Sequence, residues 1–497
     1  MKMGVIDQIV ESFSKYKNRP ALCIRKETYT YEDLSQSISD IRLLIREHIP
    51  LSHKHIGIMT NDDVETYATI FALWLEGKAY IPITPTTPLE RNSFILNEVG
   101  SNFVLSSEKV DGYDKDYSVL ITSDIQSAEI NLEPSEFSES NLAYILFTSG
   151  STGTPKGVPI TFKNLDSLFR ALDADSRHKI FSEDKCLQMF ELNFDFSLVT
   201  FLYPLLNGAS IYTIPKDQIK YFYIYKLILE EKLTYLVMVP SVIHYLRPYF
   251  SEINELEVRY CCFGAAPLDA DIVLEWKKCI PNAILYNSYG PTEYTVTTTY
   301  YSLENNDTPK TRNGVVALGK PLDKVEAMVI DEFQNILKPG EEGELCLAGS
   351  QLTSGYWGNS QKNKESFFTT VYNGKEQRFY KTGDLCTMDE EQDITFIGRK
   401  DFQVKIRGYR VELSEIEFYA KEKLSKTNVI GIDITNDLGN TEIALIIESD
   451  KFDVSDLEKH LKNKLPDYMI PTQYKFMKEF PLNANGKINR KVIKNIL

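Results

Sequence analysis

Short apolar runs take turns with longer amphipathic ones through the first three hundred residues, and this alternation restricts the fold more than any other feature. "HIGIMT" (55–60) precedes "DVETYATIFALWLEGK" (63–78), then come "AYIPI" (79–83) and "NFVLS" (102–106). "SIYTIP" (210–215) precedes "IYKLILEEKL" (224–233), followed by "TYLVMVP", "RYCCFG", "ADIVLEWKKCI" (270–280) and "AILYNSYG" (283–290). Strands that alternate with helices build parallel sheets covered by helices, so an α/β fold is expected. After about residue 315 the texture changes. "KVEAMVIDEFQNILKPGEEGELCLAGS" (324–350) alternates apolar and polar residues around Gly-rich turns, the pattern of antiparallel strands. From "FIGRKDFQVKIRGYRVELSEIEFYAKEKL" (396–424) onward, dense charge beside short strands predicts a small α+β unit. The boundary is placed near Arg399–Phe402, which gives domains 1–400 and 401–497.

Several function classes drop out on composition. A length of 497 residues exceeds one ordinary core. No apolar stretch approaches the roughly 18 residues of a membrane span, and the start carries Asp7 and Glu11 where a secretory signal would be apolar. The seven cysteines form no CxxC pair and do not cluster with the six histidines, so neither disulfides nor zinc is expected, and a reducing cytoplasm fits. A net charge of −15 opposes a nucleic-acid partner.

One stretch calls for chemistry. "FTSGSTGTPKG" (147–157) packs three glycines, five Ser/Thr hydroxyls and Lys156 directly after the apolar run 143–146. It is not a Walker A loop, because Pro155 precedes the lysine and Gly157 follows it. Hydroxyls and backbone N–H groups around one cation nevertheless suit a polyphosphate. A plain strand-to-helix turn is the alternative.

The whole string resembles the phosphate-binding signature of the adenylate-forming enzymes: acyl-CoA synthetases, luciferases and amino-acid adenylation domains. "YTYEDL" (29–34), "KAYIPITPTTPLER" (78–91), "NFDFSLVTFLYPLLNGAS" (193–210), "NSYGPTE" (287–293), "YKTGD" (380–384), "GRKDFQVKIRGYRVELSEIE" (398–417) and "NGKINR" (485–490) follow in that family's order. The resemblance covers nearly the whole chain. It implies a large N-terminal domain of mostly parallel sheets plus a distorted β-barrel, and a small C-terminal domain that rotates between half-reactions about a hinge at Asp401. It also implies ATP and Mg²⁺, and a reaction that joins a carboxylate to AMP and then passes the acyl group to a thiol.

Site roles follow by resemblance. Thr148, Ser149, Gly150, Ser151, Thr152, Gly153 and Lys156 would hold the β- and γ-phosphates. Asn287, Ser288, Tyr289, Gly290, Thr292 and Glu293 would lie at the α-phosphate, with Tyr289 facing adenine and Glu293 binding Mg²⁺; a Gly-Pro turn is the plain alternative. Gly264, Ala265 and Ala266 would border adenine. Asp384 and Arg399 would hold the ribose, and Lys405 would touch the nucleotide in one of the two states. Lys487 would be the catalytic cation that bridges carboxylate and α-phosphate. Gly408 would let a phosphopantetheine arm pass.

Asp195 separates subfamilies. In amino-acid adenylation domains this aspartate pairs with the substrate's α-ammonium, although Asp also caps helices. The pocket carried over is Phe196, Val199, Met238, Cys261, Phe263, Ser288, Val296 and Thr297. None is charged and several are bulky, which points to a small neutral amino acid such as alanine. The freestanding D-alanine–carrier-protein ligases are similar, but they place a cysteine at the position of Phe263 and an acid at that of Ala265. An acyl- or aryl-CoA synthetase is a further reading. No carrier segment follows "NGKINRKVIKNIL", so a separate phosphopantetheinylated carrier protein is the expected partner, with Lys405, Arg407 and Arg410 as candidate contacts. A monomer is favoured.

Overall fold

Nine strands form the larger of two helix-covered sheets, in the order Lys320–Pro321, Thr299–Leu303, Ile284–Tyr289, Tyr260–Phe263, Tyr235–Met238, Lys185–Gln188, Ser210–Thr213, Pro20–Ile24 and Glu27–Thr30. This computed structural model describes residues 4–123, 125, 127–135, 137–150, 154–175, 178–303, 308–425, 427–481 and 488–496. The pairings from Ile284–Tyr289 through Pro20–Ile24 are parallel, and antiparallel strands finish both edges. A second sheet of six strands centres on His55–Met59 and Ala79–Ile83, and its strands pair in parallel from Ser118–Ile121 across to Leu142–Thr148. Each strand predicted from the alternation is present. Parallel strands are buried on both faces, which is why they read as continuous apolar runs.

The helix Val64–Leu75 shows why the long runs are helical. Asp63 caps it by accepting the Thr66 N–H at 2.8 Å, and every residue except Glu65 is buried. A helix apolar on all sides lies inside a protein rather than on its surface. Trp74 anchors it by donating its indole N–H to the Ala143 carbonyl at 2.8 Å. The run at 224–233 departs from one regular helix: Lys220–Lys226 is α-helical, Leu227–Glu231 is a π turn, and Lys232 ends it at φ 56°.

The alternating segment after residue 315 forms a five-stranded antiparallel sheet. Gly343–Ala348 and Lys375–Met388 are central, with Glu326–Ile330, Phe367–Tyr372 and Ile394–Arg399 around them. This sheet stands where a distorted barrel was expected, and its pairings do not close a ring among the described residues.

By packing, the chain divides into two units. The first comprises Met1–Pro85, Leu96–Leu146 and Gly157–Lys400; the second comprises Thr86–Ile95, Phe147–Lys156 and Asp401–Leu497. The second unit holds the hairpin Gln403–Ile406/Tyr409–Glu412, the helix Leu413–Lys423, and a three-stranded sheet of Val429–Thr435, Thr441–Glu448 and Gln473–Met477. Its core gathers Val411, Ile416, Leu445, Leu457 and Leu461. Among the described residues no helix is long and apolar enough to cross a membrane.

Candidate functional site

In the first unit, "NSYGPTE" begins as the strand Ile284–Tyr289 and ends in the single turn Thr292–Tyr294. Gly290 is a steric necessity: an added Cβ would lie 2.1 Å from the Val296 carbonyl oxygen. Glu293 is fully buried, and its Oε1 accepts the Tyr356 hydroxyl at 2.6 Å. Thr292 is half-buried. The next residues, Thr295 and Val296, adopt φ of 53° and 70°. Two β-branched residues in the left-handed region cost on the order of 1–3 kcal/mol each, and such strain clusters at functional sites. Gln351 holds them, accepting from Thr295 Oγ1 at its carbonyl (2.5 Å) and donating its amide to the Thr297 carbonyl at 2.8 Å.

A second polar group joins "YKTGD" to the same strand. Tyr289 donates its hydroxyl to Asp384 Oδ2 at 2.5 Å, and Arg399 Nη1 donates to Asp384 Oδ1 at 2.7 Å and to the Thr382 carbonyl at 2.8 Å. Burial and the adjacent Asp384 push the Tyr289 hydroxyl well above its ordinary pKa, so it stays a donor. Two oxygens offer about four acceptor positions, so Asp384 keeps capacity for a further pair of hydroxyls. Asn287 donates its side-chain amide to the Val316 and Ala317 carbonyls, at 3.3 and 2.9 Å, and so clamps the adjoining loop. In "FGAAP" (263–267), which holds the Gly264, Ala265 and Ala266 expected to border adenine, Ala265 lies at φ 64°, a further left-handed residue.

The short helix Ser197–Thr200 has Phe196 at its N-cap position, and Asp195 lies one residue before it. Asp195 is 6% exposed. Its charge adds to burial in raising the hydroxyl pKa values of Tyr80 and Tyr144. The Phe196 ring covers Gly264: a Cβ there would sit 2.7 Å from Phe196 Cζ and 3.1 Å from the Ser288 carbonyl oxygen. Ser288 Oγ lies 3.2 Å from Thr297 Oγ1, and Met238 is the register neighbour of Phe263. Phe196, Gly264, Ser288, Val296 and Thr297 are thus brought together. Val199, Met238, Cys261 and Phe263 are buried, and burial lifts the Cys261 thiol to about 12.

In the second unit, the Gly-rich segment is described at Thr148, Ser149, Gly150 and Lys156; Ser151, Thr152 and Gly153 lie outside the described residues, as does Lys487. Gly150 admits no side chain, since a Cβ would fall 1.9 Å from the Thr154 carbonyl oxygen. Its N–H donates to Glu415 Oε2 at 3.2 Å. Asp401 Oδ1 accepts the Gln403 N–H at 3.2 Å, and Lys405 pairs in register with Arg410. Arg407 and Gly408, at φ 52° and 90°, form the two-residue turn of that hairpin, a local reason for glycine at 408.

Among the described residues one group of acids is gathered as a metal site would be: Asp389, Glu391 and Asp393. The Lys310 ammonium already sits among them, 2.6 Å from Asp389 and 2.7 Å from Asp393. Glu293, a buried hard oxygen donor, is the better match to Mg²⁺ chemistry.

Residues 9–357 match the family described as AMP-binding enzyme. Tyrocidine synthase 3 of Brevibacillus parabrevis is 29% identical over 493 residues, covering 97% of this chain; the chain spans only 7% of that protein's length. Zwittermicin A synthase ZmaJ of Bacillus cereus is 31% identical over 489 residues, 95% of this chain and 91% of that protein. Among solved structures, the Vibrio cholerae adenylation domain AlmE, in complex with glycyl-adenosine-5'-phosphate, aligns with a TM-score of 0.86 at 22% identity, covering 100% of this chain and 98% of that one.

Proposed function

Because the chain belongs to the AMP-binding enzyme family, we propose that it activates an amino acid as an aminoacyl-adenylate and passes the acyl group to a carrier protein. In the first step a carboxylate oxygen attacks the α-phosphorus of ATP, the bond to the β-phosphate breaks, and pyrophosphate leaves. In the second, the thiol of a phosphopantetheine arm loses its proton and attacks the mixed anhydride, and AMP departs.

The observation that carries the reading is Asp195, a carboxylate only 6% exposed whose charge acts on the buried hydroxyls of Tyr80 and Tyr144. A carboxylate so placed suits the α-ammonium of an amino acid. Asp384 and Arg399 suit a ribose, and the loop 148–156 suits the outer phosphates. Glu293 would hold the Mg²⁺ that accompanies ATP, an ion that neutralises charge on the phosphates. Lys487 is assigned the cation at the α-phosphate on its motif alone. The Phe196 ring over Gly264, with Met238 and Phe263 nearby, favours a small neutral side chain. D-Alanine is one such substrate.

ATP–pyrophosphate exchange tests this with a panel of amino acids, both alanine enantiomers, and fatty and aromatic acids. Exchange with small neutral amino acids is expected. Exchange confined to acids without an α-amino group would overturn the reading in favour of an acyl- or aryl-CoA synthetase.

A further inference from the structure

Three segments of the second unit meet at the Gly-rich loop, and their polar groups pair in a definite way. Glu415 has no exposed surface. One of its oxygens accepts the Gly150 N–H at 3.2 Å, and the other takes Arg91 Nη1 at 2.5 Å. Glu412, also buried, has Oε1 3.7 Å from the Lys156 ammonium. Ser149 binds the same strand twice: its hydroxyl donates to the Arg410 carbonyl at 2.8 Å and accepts the Glu412 N–H at 3.2 Å.

A glycine N–H, a lysine and an arginine converging on buried oxygens are the donors that hold phosphate oxyanions. Here they face carboxylates. Two buried acids side by side are costly unless cations meet them. Burial raises the Glu415 carboxyl against the pull of Arg91, and Glu412 adds to that rise. Arg91 and the Gly150 N–H meet Glu415, while the Lys156 ammonium and the Gln403 amide, which donates to Glu412 Oε1 at 2.8 Å, meet Glu412.

We propose that Glu412 and Glu415 act as an internal stand-in for polyphosphate, occupying the Gly150 N–H and the Lys156 ammonium that the β- and γ-phosphates of ATP, or pyrophosphate, would otherwise take. This inference rests on the reading of that loop as a phosphate holder. The carboxylate pair and bound polyphosphate then exclude each other. Departure of pyrophosphate hands the donors back to the two acids, and arrival of ATP must displace them. The apparent affinity for polyphosphate is reduced by the fraction of molecules in which the acids hold the loop.

The test is calorimetric titration of inorganic pyrophosphate with Mg²⁺ into the full chain, as wild type, Glu415→Gln and Glu412→Gln, each checked for a cooperative melt. An amide lacks the charge that competes, so each folded variant is expected to bind pyrophosphate about tenfold more tightly than wild type. Glu412→Gln leaves the Arg91–Glu415 pair intact, so it decides the matter should Glu415→Gln fail to fold. Equal or weaker affinity in the variants overturns the inference while the loop's phosphate role stands. No binding to any of the three chains ends both.

Discussion

Replacing Tyr356 by Phe removes a single hydroxyl from the buried neighbourhood of Glu293. That hydroxyl donates to Glu293 Oε1 at 2.6 Å, and the ring keeps its packing against Phe367, with centroids 5.9 Å apart. A hydrogen bond to a charged group contributes roughly 1.5–3 kcal/mol. If Glu293 meets Mg²⁺ while ATP reacts, the loosened carboxylate should lower kcat/KM for exchange by about ten- to hundredfold, at ~1.4 kcal/mol per decade. Tyr380 stands 3.3 Å from the Tyr356 hydroxyl and could donate in its place, so the double variant with Tyr380→Phe belongs in the series. The assay is ATP–pyrophosphate exchange across a Mg²⁺ titration, with melting temperature recorded for each variant. Variants should need more Mg²⁺ to reach half-maximal rate while melting within a few degrees of wild type. A Mg²⁺ dependence identical to wild type in both variants would refute the assignment of Glu293 as a metal ligand held by Tyr356.

Asp195→Asn keeps the volume and removes the charge. Exchange with the preferred amino acid should fall by about a hundredfold or more, the scale of a truncated buried ion pair, with the KM for ATP little changed; unaltered amino-acid kinetics would sink the ammonium contact. Glu76 accepts Arg42 Nε at 2.7 Å and Ser135 Oγ at 2.9 Å, and both Arg42 and Glu76 are buried. Glu76→Gln leaves the buried guanidinium on the neutral Asn131 and Glu133 carbonyls without its counter-charge, and should cost about 3–5 kcal/mol in urea unfolding; a loss below about 1 kcal/mol, the scale of an exposed pair, would show the pair is solvated. Burial lowers the His178 imidazole from 6.5 to about 4. The native chain therefore takes up this proton less readily than the unfolded one. Its contribution is complete above about pH 6.5 and is lost as pH falls toward 4, by up to roughly 3 kcal/mol. His178→Gln should flatten that part of a stability–pH profile, and an unchanged slope would contradict the assignment.

Local patterns carried the element content well. Val64–Leu75, Ala79–Ile83 and Ile284–Tyr289 each lie where apolar period and turn residues put them, because those signals act over a few neighbours. Gly150 and Gly290 stand in motifs, and the fold gives each a steric reason, since an added Cβ would lie about 2 Å from another carbonyl oxygen. The partners of the motif residues were not. Tyr356 and Gln351 belong to no motif, yet they hold Glu293 and the left-handed Thr295, 63 and 56 residues away in the chain. Arg91 sits at the end of a recognised motif, but nothing local says that it meets Glu415, 324 residues on.

From its own letters the chain specified which segments are strands and helices and where antiparallel texture replaces parallel, and its motifs put forward the side chains proposed for phosphate, ribose and ammonium. Tertiary structure decided the order of strands within each sheet, the seat of the Phe196 ring above Gly264, and the facing of loop donors by two acids. The physical reason is range. Helical and strand periodicity express backbone geometry between near neighbours. A salt bridge or a filled cavity depends on surfaces that only a folded core brings together.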